Sequence, residues 1–218
     1  MHLIANTIKR FRIALILPTF LLLSSFLLLE GDNELTFGEK VPLTDKQLIN
    51  IDNTSVSLND LKQENGLIII FSCNTCPFVI GNEDFEGWEK QYNDLYTKAI
   101  EKGIGLVLIN SNEAKREGDD SFDEMKIHAK KAGYKMPYLV DVNSTMANVF
   151  GAKTTPHVFL LNAKMELVYM GSIDNIWDKQ RKEDIPYLED ALQQLAAQKK
   201  IKTDSSAPKG CSIKRITN

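Results

Sequence analysis

Two cysteines, Cys73 and Cys76, stand two residues apart in the stretch Phe71-Ser72-Cys73-Asn74-Thr75-Cys76-Pro77. Thiols at that spacing can close a small disulfide ring, supply half of a zinc site, or staple the chain. Zinc needs two more ligands; the candidates are Cys211 and His157, and neither has a partner at metal-ligand spacing. A staple across so short a loop constrains the unfolded chain little. Redox exchange is the chemistry this pair suits best, and neither a metal nor a cofactor is called for. On this reading Cys73 lies at an exposed mouth and is the attacking thiolate, stabilised by the free N–H groups and dipole of a helix start. Cys76, one turn further in, resolves the mixed disulfide. Pro77 suits a first helical turn, where its missing N–H costs nothing.

A second cluster is Thr154-Thr155-Pro156-His157-Val158-Phe159. A proline entering a strand belongs at its first residue or at a bulge. His157 beside it either tunes Cys73 or points away along the strand. The third cysteine, Cys211, either resolves oxidised Cys73, pairs with another chain, or stays a free thiol on a polar tail.

The elements that must position these residues follow from periodicity. Leu67 to Phe71 is an apolar run rich in β-branched residues, bounded by Gly66 and Ser72, which is the pattern of a strand buried on both faces. Phe78 to Lys102 reads as one helix, with Phe85, Trp88, Tyr92, Leu95, Tyr96 and Ile100 at three- and four-residue steps and Gly103 as its stop. Ile104 to Ile109 is a second buried strand, and Asp119 to Ala132 a helix stopped by Gly133. Tyr138 to Val140 is a short strand, followed by a helical turn from Ser144 to Phe150 capped by Asn143 or Ser144. His157 to Leu161 and Glu166 to Met170 form a hairpin, and a last helix runs from about Asp184 to Gln198. Strands at Gln47 to Ile51 and near Val56 precede them. This order implies an α/β domain, a central mixed β-sheet flanked by helices on both faces.

The motifs Cys73-Asn74-Thr75-Cys76-Pro77 and Thr155-Pro156 resemble those of the thioredoxin superfamily, over roughly Gln47 to Ala197. That resemblance implies a thioredoxin-like fold with an N-terminal β extension and one inserted βα-type segment around Asp119 to Ala132. It also implies that Pro156 is cis and packs beside the cysteines, with Thr155 and Pro156 binding substrate. A narrower likeness lies in Phe71 to Val79 taken with Gly210-Cys211-Ser212-Ile213-Lys214. It is similar to a peroxiredoxin-like group of the alkyl hydroperoxide reductase and thiol-specific antioxidant (redoxin) branch. The peroxidatic pattern P-x-x-x-[ST]-x-x-C is not met: Ile69 and Cys73, or Gly66 and Ile70, occupy its proline and hydroxyl positions. The buried aspartate of thioredoxin is Leu67 here, so no proton shuttle is assigned; Glu64 is merely nearby in sequence.

The chain has 218 residues, 43% hydrophobic and 25% charged, with a net charge of −3, which permits a real core and gives no sign of a nucleic-acid partner. Lys9, Arg10 and Arg12 precede an apolar run from Ile13 to Leu29, the form of a signal peptide or uncleaved signal anchor over residues 1–30. Residues 31–45 then read as a tether, 46–198 as the domain and 199–218 as a loose tail carrying Cys211. Positive residues stay inside, so the domain is expected on the extracytoplasmic, periplasmic side of a membrane, where disulfides persist. The expected function is disulfide exchange with exported proteins or small thiols, fed by a membrane-side electron donor. The alternatives are an antioxidant acting on hydroperoxides and a redox-inert binding module.

Overall fold

The computed structural model describes residues 35–216. The leader at residues 1–30 and the first part of the tether lie outside them. Among the described residues no helix is long and apolar enough to cross a membrane.

In chain order the elements are β1 (Leu48–Asn50), β2 (Ser55–Val56), α1 (Leu58–Leu61), β3 (Gly66–Phe71), α2 (Pro77–Ile80), α3 (Glu89–Glu101) and β4 (Ile104–Asn110). They continue with α4 (Phe122–Ala132), β5 (Tyr138–Val140), α5 (Thr145–Val149), β6 (Thr154–Thr155), β7 (His157–Asn162), β8 (Leu167–Gly171), α6 (Tyr187–Ala196) and β9 (Cys211–Ser212). Seven strands form one mixed sheet in the order β2-β1-β5-β4-β3-β7-β8. β3, β4 and β5 run parallel, and β7 pairs antiparallel with both β3 and β8. The apolar run is thus the centre of the sheet, with all six residues of β3 buried.

Alternation along β3 feeds two cores. Ile68 and Ile70 face a layer built from Tyr92 and Leu95 of α3, Met125 of α4 and Leu188 and Leu192 of α6. Leu67, Ile69 and Phe71 face the other layer, with Leu58 of α1, Met146 of α5 and Phe150. Phe71, Phe150 and Phe159 meet edge-on, with ring centroids 5.1 to 5.6 Å apart.

Four expectations need correction. The helix foreseen from Phe78 to Lys102 is broken: α2 is a single turn, ended by Gly81 at φ 93°. Asn82 then accepts the amides of Asp84 and Phe85 through its side chain, holding a loop before α3 begins. Ser144 does stand at the N-cap of α5, but its hydroxyl donates to the Ser111 carbonyl and does not cap the helix. The first-turn amides are instead satisfied from Asp141, whose carboxylate accepts those of Met146 and Ala147 at 2.8 and 3.0 Å. The described end of the tether packs on the domain, since Val41 is buried and its amide donates to the Met165 carbonyl. Finally, the tail is not loose. The Ser206 hydroxyl bonds Tyr169 and the Ser172 amide, Ile213 is buried, and the Arg215 guanidinium donates to the Ala152 carbonyl and the Asn148 side chain.

His157, at the start of β7, is buried with its ring 4.5 Å from that of Phe159. Its Nδ1 accepts the Lys153 amide at 3.2 Å. Burial, with the Lys153 charge adding, pushes its pKa down to about 4. An unfolded histidine near 6.5 binds its proton first, so native stability is fully present above about pH 6.5 and declines toward pH 4. The decline amounts to roughly 3 kcal/mol. Urea unfolding at pH 7 and pH 4.5 should show about 2 kcal/mol of this loss in the native sequence, and His157→Gln should flatten most of it.

Candidate active site

The site sits beyond the carboxyl ends of β3 and β4, where parallel strands leave a crevice. Ser72 continues β3, its amide donating to the Ile109 carbonyl and its hydroxyl lying 3.2 Å from the Tyr92 hydroxyl. The chain then turns through Cys73 to Cys76 into α2, with Pro77 in the first turn as expected.

A buried polar cluster holds that turn. The Asn74 amide donates to the Asp120 carboxylate at 2.9 Å, and the Asn74 side chain donates to the Asp119 carbonyl at 2.8 Å. The Asn110 and Asn112 side-chain amides also donate to Asp120, at 2.7 and 2.9 Å, and the Tyr138 hydroxyl donates to Asn74. Asp120 is fully buried, so its lone pairs must be used, and they are spent positioning the cysteine loop. Sequence reasoning missed this group. Its members lie on four segments and share no local pattern; only the asparagines and aspartates clustered after the β4 run hinted at them. Glu64 offers no shuttle, because it precedes β3 at the end of the strand remote from Cys73.

Thr155 faces the two thiols. The Thr155–Pro156 bond is cis, as the resemblance implied. The Thr155 hydroxyl lies 3.1 Å from Cys73 Sγ, and its carbonyl oxygen lies 3.0 Å from Cys76 Sγ, where it accepts the Cys76 proton when that thiol is protonated. On the other side, β6 pairs antiparallel with β9, which puts Cys211 opposite Thr155. The Cys211 amide donates to Cys76 Sγ at 3.4 Å. All three cysteines are free. They share the rim and floor of a cleft of about 160 Å³ with Thr155, Lys115 and Lys214.

The structure corrects the placement expected for the pair. Neither sulfur is at an exposed mouth: Cys73 is 2% exposed and Cys76 3%. The donors converge on Cys76. The Cys73 thiol donating to it, with Cys211 and the Phe78 amide adding, lowers Cys76 to about 5 against the opposing effect of burial. Cys73 is pushed up, first by the hydrogen bond it gives Cys76, then by burial, with the Asp120 charge adding. The single turn of α2 carries little macrodipole, so local N–H and S–H donors set the charge. Cys211 is pushed up to about 11 by burial and by Cys76.

His157 is not brought to the pair; it lines a separate cavity with Phe150 and Met170. Among the described residues no cluster of His, Cys, Asp and Glu has the geometry to hold a metal ion.

A mixed sheet with helices on both faces, two cysteines at the start of a helix and a cis-proline facing them define a thioredoxin-like protein. Residues 36–192 match the Redoxin family model, and the chain belongs to the Redoxin family. An uncharacterized conserved protein of Geobacillus kaustophilus is similar in structure, with 28% identity and a TM-score of 0.75 over 85% of this chain and 95% of that one. A hypothetical protein of Sinorhizobium meliloti follows at 26% identity and TM-score 0.74, covering 85% and 98%. Peroxidoxin BcpB of Mycobacterium tuberculosis shares the fold at 17% identity and TM-score 0.53, covering 75% and 98%. No curated protein matches the sequence.

Gly210 reports on how tightly the tail closes this site. A Cβ there would meet the Thr155 carbonyl oxygen at 2.2 Å, and backbone cannot swing aside. Gly210→Ala should therefore lift β9 from β6. Alkylation of Cys73 and Cys76 in the native protein should speed up by about tenfold or more, at a stability cost of about 1–3 kcal/mol. An unchanged rate would show that the tail does not lie against Thr155.

Proposed function

We propose that this chain is a thiol–disulfide oxidoreductase working through Cys73 and Cys76. The observation that carries the reading is a pair of free, buried thiols side by side against Thr155, Cys73 Sγ 3.1 Å from its hydroxyl and Cys76 Sγ 3.0 Å from its carbonyl oxygen, with the hydrogen bond from Cys73 favouring charge on Cys76. The Cys76 thiolate attacks one sulfur of a substrate disulfide, forms a mixed disulfide and expels the other sulfur as a thiolate, which takes a proton from water. The Cys73 thiol then gives its proton to solvent, and its sulfur attacks Cys76 Sγ and releases the second substrate thiol. Two electrons pass to the substrate and a Cys73–Cys76 disulfide remains. A reductant then returns the pair to two thiols.

The charged start and apolar run of residues 9–29 support placing this exchange outside a cytoplasmic membrane. There the pair would draw electrons from a membrane-side donor and serve exported disulfides or small thiols.

A thiolate at neutral pH reacts faster than an ordinary thiol, which is only a few per cent ionised. Reduction of a small aromatic disulfide by the reduced protein should fall about a hundredfold or more in Cys76→Ser, and Cys73→Ser/Cys211→Ser should stall at the mixed disulfide. A Cys73→Ser/Cys76→Ser protein that keeps the full rate would overturn the assignment. Faster consumption of hydrogen peroxide than of any disulfide would move the chemistry to hydroperoxides.

A further inference from the structure

We propose that Cys211 is a third redox thiol, which closes a disulfide with Cys76 while the C-terminal strand stays seated on Thr155. The proposal rests on the reactivity assigned to Cys76 above and adds a second bond at the same sulfur.

Position is the first argument. The register places Cys211 across from Thr155, its amide is 3.4 Å from Cys76 Sγ, and the two thiols lie within hydrogen-bonding range of each other. The strand is held on both sides of Cys211. Before it, the Lys209 ammonium lies 4.7 Å from the Trp177 ring centroid, and the Lys209 amide donates to the Ser172 hydroxyl. After it, the Ile213 amide donates to the Lys153 carbonyl and the Lys214 amide to the Asn112 side chain. A thiol fixed this closely acts at a high effective concentration.

Exposure is the second argument. Cys73 and Cys76 are almost wholly buried, whereas Cys211 is half-buried at the cleft rim. A Cys76–Cys211 bond would carry the oxidised state from the buried pair to the edge of the cleft. The paired strand also bears on substrate. The Thr154–Thr155 edge is already occupied by β9, so an extended chain cannot add there as another strand. The oxidant that fits is a small-molecule disulfide entering the cleft.

The step balances. The Cys76 thiolate attacks a disulfide RSSR, forming Cys76–S–S–R and releasing RS⁻, which is protonated by water. The negative charge that disfavoured ionisation of Cys211 is thereby gone. Cys211 gives its proton to solvent, attacks Cys76 Sγ and expels the second RS⁻. One RSSR becomes two thiols, and two protein thiols become one disulfide.

Peptide mass mapping of protein treated with oxidised glutathione tests this. Cys73→Ser should yield a monomer with a Cys76–Cys211 linked peptide, and Cys73→Ser/Cys211→Ser should instead retain glutathione on Cys76. A lasting Cys76–glutathione adduct in Cys73→Ser, with Cys211 free, would overturn the third-thiol role. If Cys73→Ser does not fold, the unmutated chain decides: a Cys76–Cys211 peptide beside Cys73–Cys76 supports the role, and its absence overturns it. A Cys73–Cys76 bond without Cys76–Cys211 in either protein sinks only this inference. No modification of Cys76 in any of them sinks the oxidoreductase reading as well.

Discussion

The contacts of Thr155 are what the rest of the site depends on. Its hydroxyl meets one sulfur and its carbonyl the other, while its strand pairs outward with Cys211. One residue therefore sets the depth at which both thiols sit and the position of the third. The surrounding fold serves to keep that residue and the cysteine turn in register. β3 and β7 are hydrogen-bonded neighbours, with Phe71 opposite His157, so the turn leaving β3 and the segment entering β7 arrive side by side.

A sulfur so buried is not charged by exposure, and a one-turn helix cannot charge it by its dipole alone. What remains is local donation. Cys76 gathers a thiol and backbone amides, whereas Cys73 lies nearer the Asp120 carboxylate. Asp120 in turn is held by Asn74, Asn110 and Asn112, all buried. Such a network is satisfied only when the cysteine turn, the end of β4 and the segment before α4 are assembled together, which ties the reactive geometry to the folded state.

The sheet was legible in the sequence because its signal is local. The apolar run around Ile68 and Ile69 could only be a strand buried on both faces, and Gly133 ended α4 where its periodicity ran out. The cysteine spacing and the Thr155-Pro156 pair located the two halves of the site. What was not legible depended on distant partners. The pattern Trp88, Tyr92, Leu95 is truly helical, but it hid the break at Gly81, because aromatic residues in the intervening loop pack on the same core. A polar tail reads as loose when its hydrogen-bond partners lie far back along the chain, at Tyr169, Asn148 and Asn112. The approach of the Cys211 amide to Cys76 was hidden in the same way, since it is invisible from the local motif.

The central claim is that one sulfur of this site, that of Cys76, is ionised at neutral pH. Ultraviolet thiolate absorbance of the reduced protein, followed against pH, tests it most directly because it does not require a reagent to reach a buried atom. The account predicts a single-thiolate transition with a midpoint near 5 that vanishes in Cys76→Ser and persists in Cys211→Ser. A titration with no thiolate appearing until about pH 8 or above, as for ordinary cysteines, would contradict it.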